Sequence, residues 1–102
     1  MKVVVANLGA IPEGEGRTFE LGKLKLAIFR SRQGEVYATQ ADCPHRGGML
    51  ADGLLGGAIV VCPLHSQKFD LATGRALGGE CGLKTYPTHL NAAGEIVVEL
   101  ND

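Results

Sequence analysis

Apolar residues along this chain come in short runs: KVVVA at 2–6, TFEL at 18–21, LKLAIF at 24–29, EVYATQ at 35–40, AIVV at 58–61, KFDL at 68–71, LKTYPTHL at 83–90 and EIVVEL at 95–100. Each is bounded by Gly, Pro, Asn or Asp, and several alternate with period two, as strands with one buried face do. No segment sustains an amphipathic helical period. RQGE at 32–35 and AAGE at 92–95 lie between such runs as hairpin loops, and ATGR at 72–75 reverses the chain after KFDL. The pattern predicts an all-β protein of antiparallel strands, with 15 glycines in 102 residues, about twice the usual share, supplying its turns.

Residues 42–61 break the pattern, because GGMLADGLLGG is glycine-rich yet too apolar for a solvated linker. This stretch reads as a compact excursion from the β framework, with one helical turn at Met49 to Asp52, closed by the strand AIVVC. A chain of 102 residues is expected to be one domain, long enough to bury roughly two thirds of its unfolded surface. Ten basic and eleven acidic residues give a net charge of -1 without any block of like charge, which argues against nucleic acid or an anionic membrane as partner. The apolar run from Leu54 to Leu64 falls short of the roughly 20 residues that span a bilayer. The start MKVVVANLGAIPEGEG reads as a strand and turn, not a signal peptide. Three cysteines suit neither a disulfide scaffold nor a secreted location, so a soluble cytoplasmic protein is expected.

Chemistry enters with an echo inside CPHRGGMLADGLLGGAIVVCPLH at 43–65. Cys43-x-His45 and Cys62-x-x-His65 bring two soft thiolates and two imidazoles from two short loops, an inventory for tetrahedral zinc or for an iron-sulfur cluster. A zinc finger pairs Cys with Cys in a turn and His with His on a helix. Here each loop pairs one Cys with one His, which suits a two-iron centre with unlike ends. Two such pairs in mirrored loops make coincidence improbable, and structural zinc carries about the same small weight. His89 reads as an ordinary strand residue. Cys81, without a histidine or cysteine neighbour, reads as a buried or unreactive thiol.

The double motif on an all-β background resembles the Rieske [2Fe-2S] family. The resemblance covers nearly the whole chain, including FDLATGRAL and the closing KTYP. It implies a Rieske fold over residues 1–102: an antiparallel β-sandwich framework with an inserted cluster-binding subdomain at about 42–82. It implies one [2Fe-2S] cluster per chain, with Cys43 and Cys62 on one iron and His45 and His65 on the other. Gly47 and Gly48 would let backbone N–H groups approach the sulfurs, while Pro44 and Pro63 would stiffen the loops. High-potential relatives have a disulfide at the positions of Gly48 and Leu64, and hydroxyl donors at those of Gln67 and Phe69. Their loss implies a low-potential, ferredoxin type. The family's proline-containing shielding loop is replaced by GGECG at 78–82, so a shorter or more mobile shield is expected, with Cys81 near the site.

With His45 and His65 used, only His89 is left of three histidines, too few for a mononuclear oxygenase iron. There is no Gly-rich dinucleotide fingerprint either. The resemblance therefore implies a non-catalytic one-electron carrier that takes electrons from a flavin-dependent reductase and passes them to a terminal oxygenase. The alternative is the small subunit of an NAD(P)H-dependent nitrite reductase, and a structural zinc module is a remote third. The histidine edges would serve as the electron port. Docking would use Pro44, Met49 and Leu64, rimmed by Arg46 and Lys68.

Overall fold

A computed structural model of the chain describes residues 1–44, 48–63, 67–78 and 82–100. Among these the chain is all-β, in three antiparallel sheets. The first has the order β1-β11-β10, from Lys2–Asn7, Glu95–Glu99 and Thr88–Leu90. The second has the order β2-β3-β4-β9, from Glu15–Leu21, Leu24–Arg30, Val36–Gln40 and Thr85–Tyr86. The third is β5-β6-β7-β8, from Leu54–Gly56, Ile59–Val61, Lys68–Asp70 and Ala76–Leu77.

The run LKLAIF explains how three sheets make one body. Four consecutive residues of β3, Leu26 to Phe29, are fully buried, because the strand is covered on both faces. Leu26 and Ile28 point into a core with Ile11, Ala38, Tyr86, Ile96 and Val98, between the first and second sheets. Ala27 and Phe29 point the other way, into a core with Leu50, Val60, Phe69, Leu71, Leu83, Cys43 and Cys62, under the third sheet. A continuous apolar run is what a strand with two dry faces requires. Each large side chain so buried contributes about 1.5–3 kcal/mol.

The expected hairpins at 32–35 and 92–95 are present: Ser31 N–H donates to the Glu35 carbonyl at 2.9 Å, and Asn91 N–H donates to that of Glu95 at 3.0 Å. The turn at 72–75 reverses β7 into β8, with Gly74 at φ 81°. The helical turn is a 3-10 turn at Leu50–Asp52, and a second lies at Leu8–Ala10.

Two expectations need correction. LKTYPTHL is not one strand. Pro87 has no N–H for a ladder, so the run breaks there and changes sheet: β9 pairs with β4, and β10 pairs with β11. The Thr88 hydroxyl donates to the Tyr86 carbonyl at 2.8 Å across the break. Strands β5 and β8 were not expected, since three and two residues are too few to show a period.

Gly16 in β2 lies opposite Phe29, and a Cβ there would stand 2.6 Å from the ring. The Phe29 ring thus occupies the space of the missing side chain. Gly16→Ala should overpack this contact and cost about 1–3 kcal/mol, read as a lower urea midpoint with an unchanged slope. A midpoint equal to that of the parent would show that the ring is free to yield.

Candidate metal centre

The two candidate cysteine ligands lie at equivalent places in two hairpin-like tips. After β4 the backbone pairs with the segment at 48–50: Leu50 N–H donates to the Ala41 carbonyl at 3.0 Å, and Asp42 bridges Met49. Cys43 N–H then donates to the Gly48 carbonyl at 2.7 Å. In the other tip β6 pairs with β7 as far as Val61 and Lys68, and Cys62 N–H donates to the Gln67 carbonyl at 2.7 Å. Each cysteine therefore opens a loop of the same length, closed by the same bond. Pro44 and Pro63 follow, both exposed and neither needing an amide partner.

Both cysteines are buried, Cys43 at 2% and Cys62 at 1% exposure, and both are thiols. They belong to one core with Phe29, Leu50, Val60, Phe69, Leu71 and Leu83. Gly53 allows this packing, because a Cβ there would overlap the Val61 carbonyl oxygen just before Cys62. A single buried thiol packs as a small hydrophobe. Two thiols in one core, each opening a matched loop whose remaining residues include a histidine, form a donor set that fits the sulfur side of a [2Fe-2S] centre.

His45 and His65 lie outside the described residues, as do Arg46, Gly47, Leu64 and Cys81. Among the described residues no group of three or more His, Cys, Asp or Glu side chains gathers as a metal site. Gly48, expected near the sulfurs, contributes the carbonyl that closes the first loop. Of the expected docking residues, Pro44 and Lys68 are exposed and Met49 is half-buried. His89 is an exposed residue of β10, as expected.

Sequence reasoning overlooked the segment after the expected shield. Leu83 is buried beside both cysteines, and its N–H donates to the Gly74 carbonyl at 2.6 Å. A Cβ on Gly82 would lie 2.7 Å from that same oxygen. Gly82 and Leu83 are therefore held against Gly74, and the available signal was a glycine followed by an apolar residue.

A family model for the Rieske [2Fe-2S] domain matches residues 1–87. The chain belongs to the Rieske [2Fe-2S] domain family. It is 40% identical over 95 residues to the ferredoxin component of a naphthalene 1,2-dioxygenase system from Pseudomonas aeruginosa, covering 89% of this chain and 88% of the relative. The ferredoxin of Sphingomonas yanoikuyae B1 overlays with a TM-score of 0.87 at 31% identity, covering 99% of this chain and 100% of its own. A structure assigned as the small subunit of an NADH-dependent nitrite reductase from Mycobacterium tuberculosis overlays at 0.90 over 100% of this chain and 97% of its own. At 23% identity that last likeness shows the fold alone.

At the two positions where the resemblance led hydroxyl donors to be expected in high-potential relatives, Phe69 is fully buried and apolar and Gln67 is half-buried. One aromatic side chain packs against the thiol core from its flank. Tyr37 borders that core and lines a cavity of about 360 Å³ with Glu35, Leu71, Ala72, Thr85 and Tyr86. Burial raises its pKa above the ordinary 10.0, and a hydrogen bond to the Glu35 carboxylate and the charges of Glu35 and Asp70 add to the rise. A raised folded value means that the folded state keeps the phenol proton longer than the unfolded chain does. The associated stability is complete below the unfolded value of about 10 and is lost as pH climbs through the higher folded value. In a Tyr86→Phe background, tyrosinate absorbance should report a midpoint above that of free tyrosine, and Glu35→Gln should lower it. A midpoint unaffected by Glu35→Gln would contradict the assignment.

Proposed function

We propose that the chain is a Rieske-type ferredoxin that passes single electrons from a flavin-dependent reductase to a terminal oxygenase. The observation that carries the reading is the matched pair of loops with Cys43 and Cys62 buried in one core. On this reading Cys43 and Cys62 hold one iron, His45 and His65 hold the other, and residues 42–82 form the cluster-binding part of a single domain spanning 1–102. When bound, one [2Fe-2S] cluster per chain would supply reversible one-electron storage.

The chain's own residues do the rest. The core around Phe29, Leu50 and Phe69 keeps water from the sulfur side. The Cys43 and Cys62 amides are already engaged by the Gly48 and Gln67 carbonyls, which fixes the base of each loop. Exposed Pro44 and Lys68 and half-buried Met49 border the tips, where a small transient redox interface would form. The chain is a carrier, not a catalyst. An oxygenase as acceptor is supported by the dioxygenase-system relative at 40% identity, while the nitrite reductase reading rests on fold likeness at 23%. No described helix is long and apolar enough to cross a membrane, and thiols kept for a cluster suit a reducing cytoplasm.

The purified protein should be red-brown and contain about two irons and two sulfides per chain, with Cys43→Ser and Cys62→Ser each abolishing both. A colourless protein with stoichiometric zinc would mean the zinc module instead. With Gln67 and Phe69 in place of hydroxyl donors the potential should lie on the order of -150 mV, the low end for Rieske centres, and His65→Cys should lower it further. A strongly positive potential, or one unmoved by His65→Cys, contradicts the ligand assignment.

A further inference from the structure

Gln40 ends β4 shortly before Cys43, and its side chain spans two backbones. The side-chain carbonyl Oε1 accepts from Lys84 N–H at 2.8 Å, and Nε2 donates to the Asp42 carbonyl at 2.8 Å. The backbone N–H of Gln40 donates to the Lys84 carbonyl at 2.9 Å. One group that accepts on one side and donates on the other fixes the amide orientation.

Lys84 belongs to a short segment gripped from the other side as well. Leu83 N–H donates to the Gly74 carbonyl at 2.6 Å, and Gly74 N–H donates to the Asp70 carbonyl at 2.7 Å. Gly74 has φ 81°, and a Cβ there would overlap the Leu83 carbonyl oxygen, so the approach is as close as backbones allow. Asp70 lies in β7, which follows the Cys62 loop, and Asp42 immediately precedes Cys43. The segment at 82–84 is therefore a crossbar between the end of β4 before Cys43 and the β7–β8 turn of the sheet that leads into and out of the Cys62 loop, and the Leu83 side chain lies in the core with both thiols.

Resting on the ligand reading above, we propose that Gln40 is a positioning residue: its side-chain amide ties Asp42 to this crossbar and so sets the spacing of Cys43 from Cys62. Both side-chain bonds lie at an exposed edge, so water can replace them when the amide is removed. The fold then survives while the positional constraint does not. Gln40→Met keeps the length and loses both bonds. Gln40→Glu keeps the acceptor for Lys84 and turns a carboxylate towards the Asp42 carbonyl.

The control is Asn91→Ala. Asn91 makes a comparable set of bonds in the distal hairpin, its Oδ1 accepting from Ala93 N–H at 3.0 Å and Glu95 N–H at 2.9 Å, and its Nδ2 donating to Glu95 at 3.0 Å. Three quantities are compared across parent and variants: Cys43 alkylation by iodoacetamide in metal-free full-length chain, mapped by mass spectrometry; bleaching of loaded protein with EDTA; and the electron paramagnetic resonance g-values after reduction. Gln40→Met should alkylate and bleach at least about fivefold faster than Asn91→Ala, the factor for one lost bond, with displaced g-values. Gln40→Glu should move in the same direction. Rates for both Gln40 variants that match Asn91→Ala, with parental g-values, would overturn the proposal. Should the parent take up no iron or sulfide, the ferredoxin reading falls, and the alkylation ratio alone still decides the role of Gln40.

Discussion

From Leu26 to Phe29 strand β3 has no solvent face, and the molecule is organised around that fact. Leu26 and Ile28 close the sandwich while Ala27 and Phe29 form the floor under the two cysteines. The register of β3 against β2 and β4 is therefore specified from both sides, since a slip by one residue would exchange the two sets and put Ala27 and Phe29 where Leu26 and Ile28 belong. The thiol side is not an appendage on a finished sandwich, because the same strand is a wall of both cores.

On that floor the two tips solve one problem twice. A loop that opens on a buried cysteine still has backbone groups to satisfy. Both loops satisfy one at the cysteine itself, through the Gly48 and Gln67 carbonyls, and both place a proline next, where no amide needs a partner. Polar backbone is paired at the base and apolar packing surrounds the thiols.

Much of this was legible in the residues. Continuous or alternating apolar runs bounded by Gly and Asn gave the main strands, because burial on one or two faces writes directly into side-chain type. The Cys-Pro echo marked where the two loops open, since the same residue pair stands at both. The short strands β5 and β8 were not legible, because two or three residues carry no period. The break at Pro87 was visible as a proline, yet which sheet each half would join depends on partners distant in sequence. Leu83 was hidden for the same reason: its neighbours are brought to it by β3, β6 and β7.

The equal length of the two loops has a consequence for what the chain can tolerate. With the closing bonds at Cys43–Gly48 and Cys62–Gln67 fixed, four residues intervene in each loop, and that number cannot change without moving a closing bond. An inserted residue would leave the strands in register and the two loops unequal. Loop length here acts as a ruler: counted from the cysteine, the proposed histidine ligand is the second residue on in one loop, His45, and the third in the other, His65.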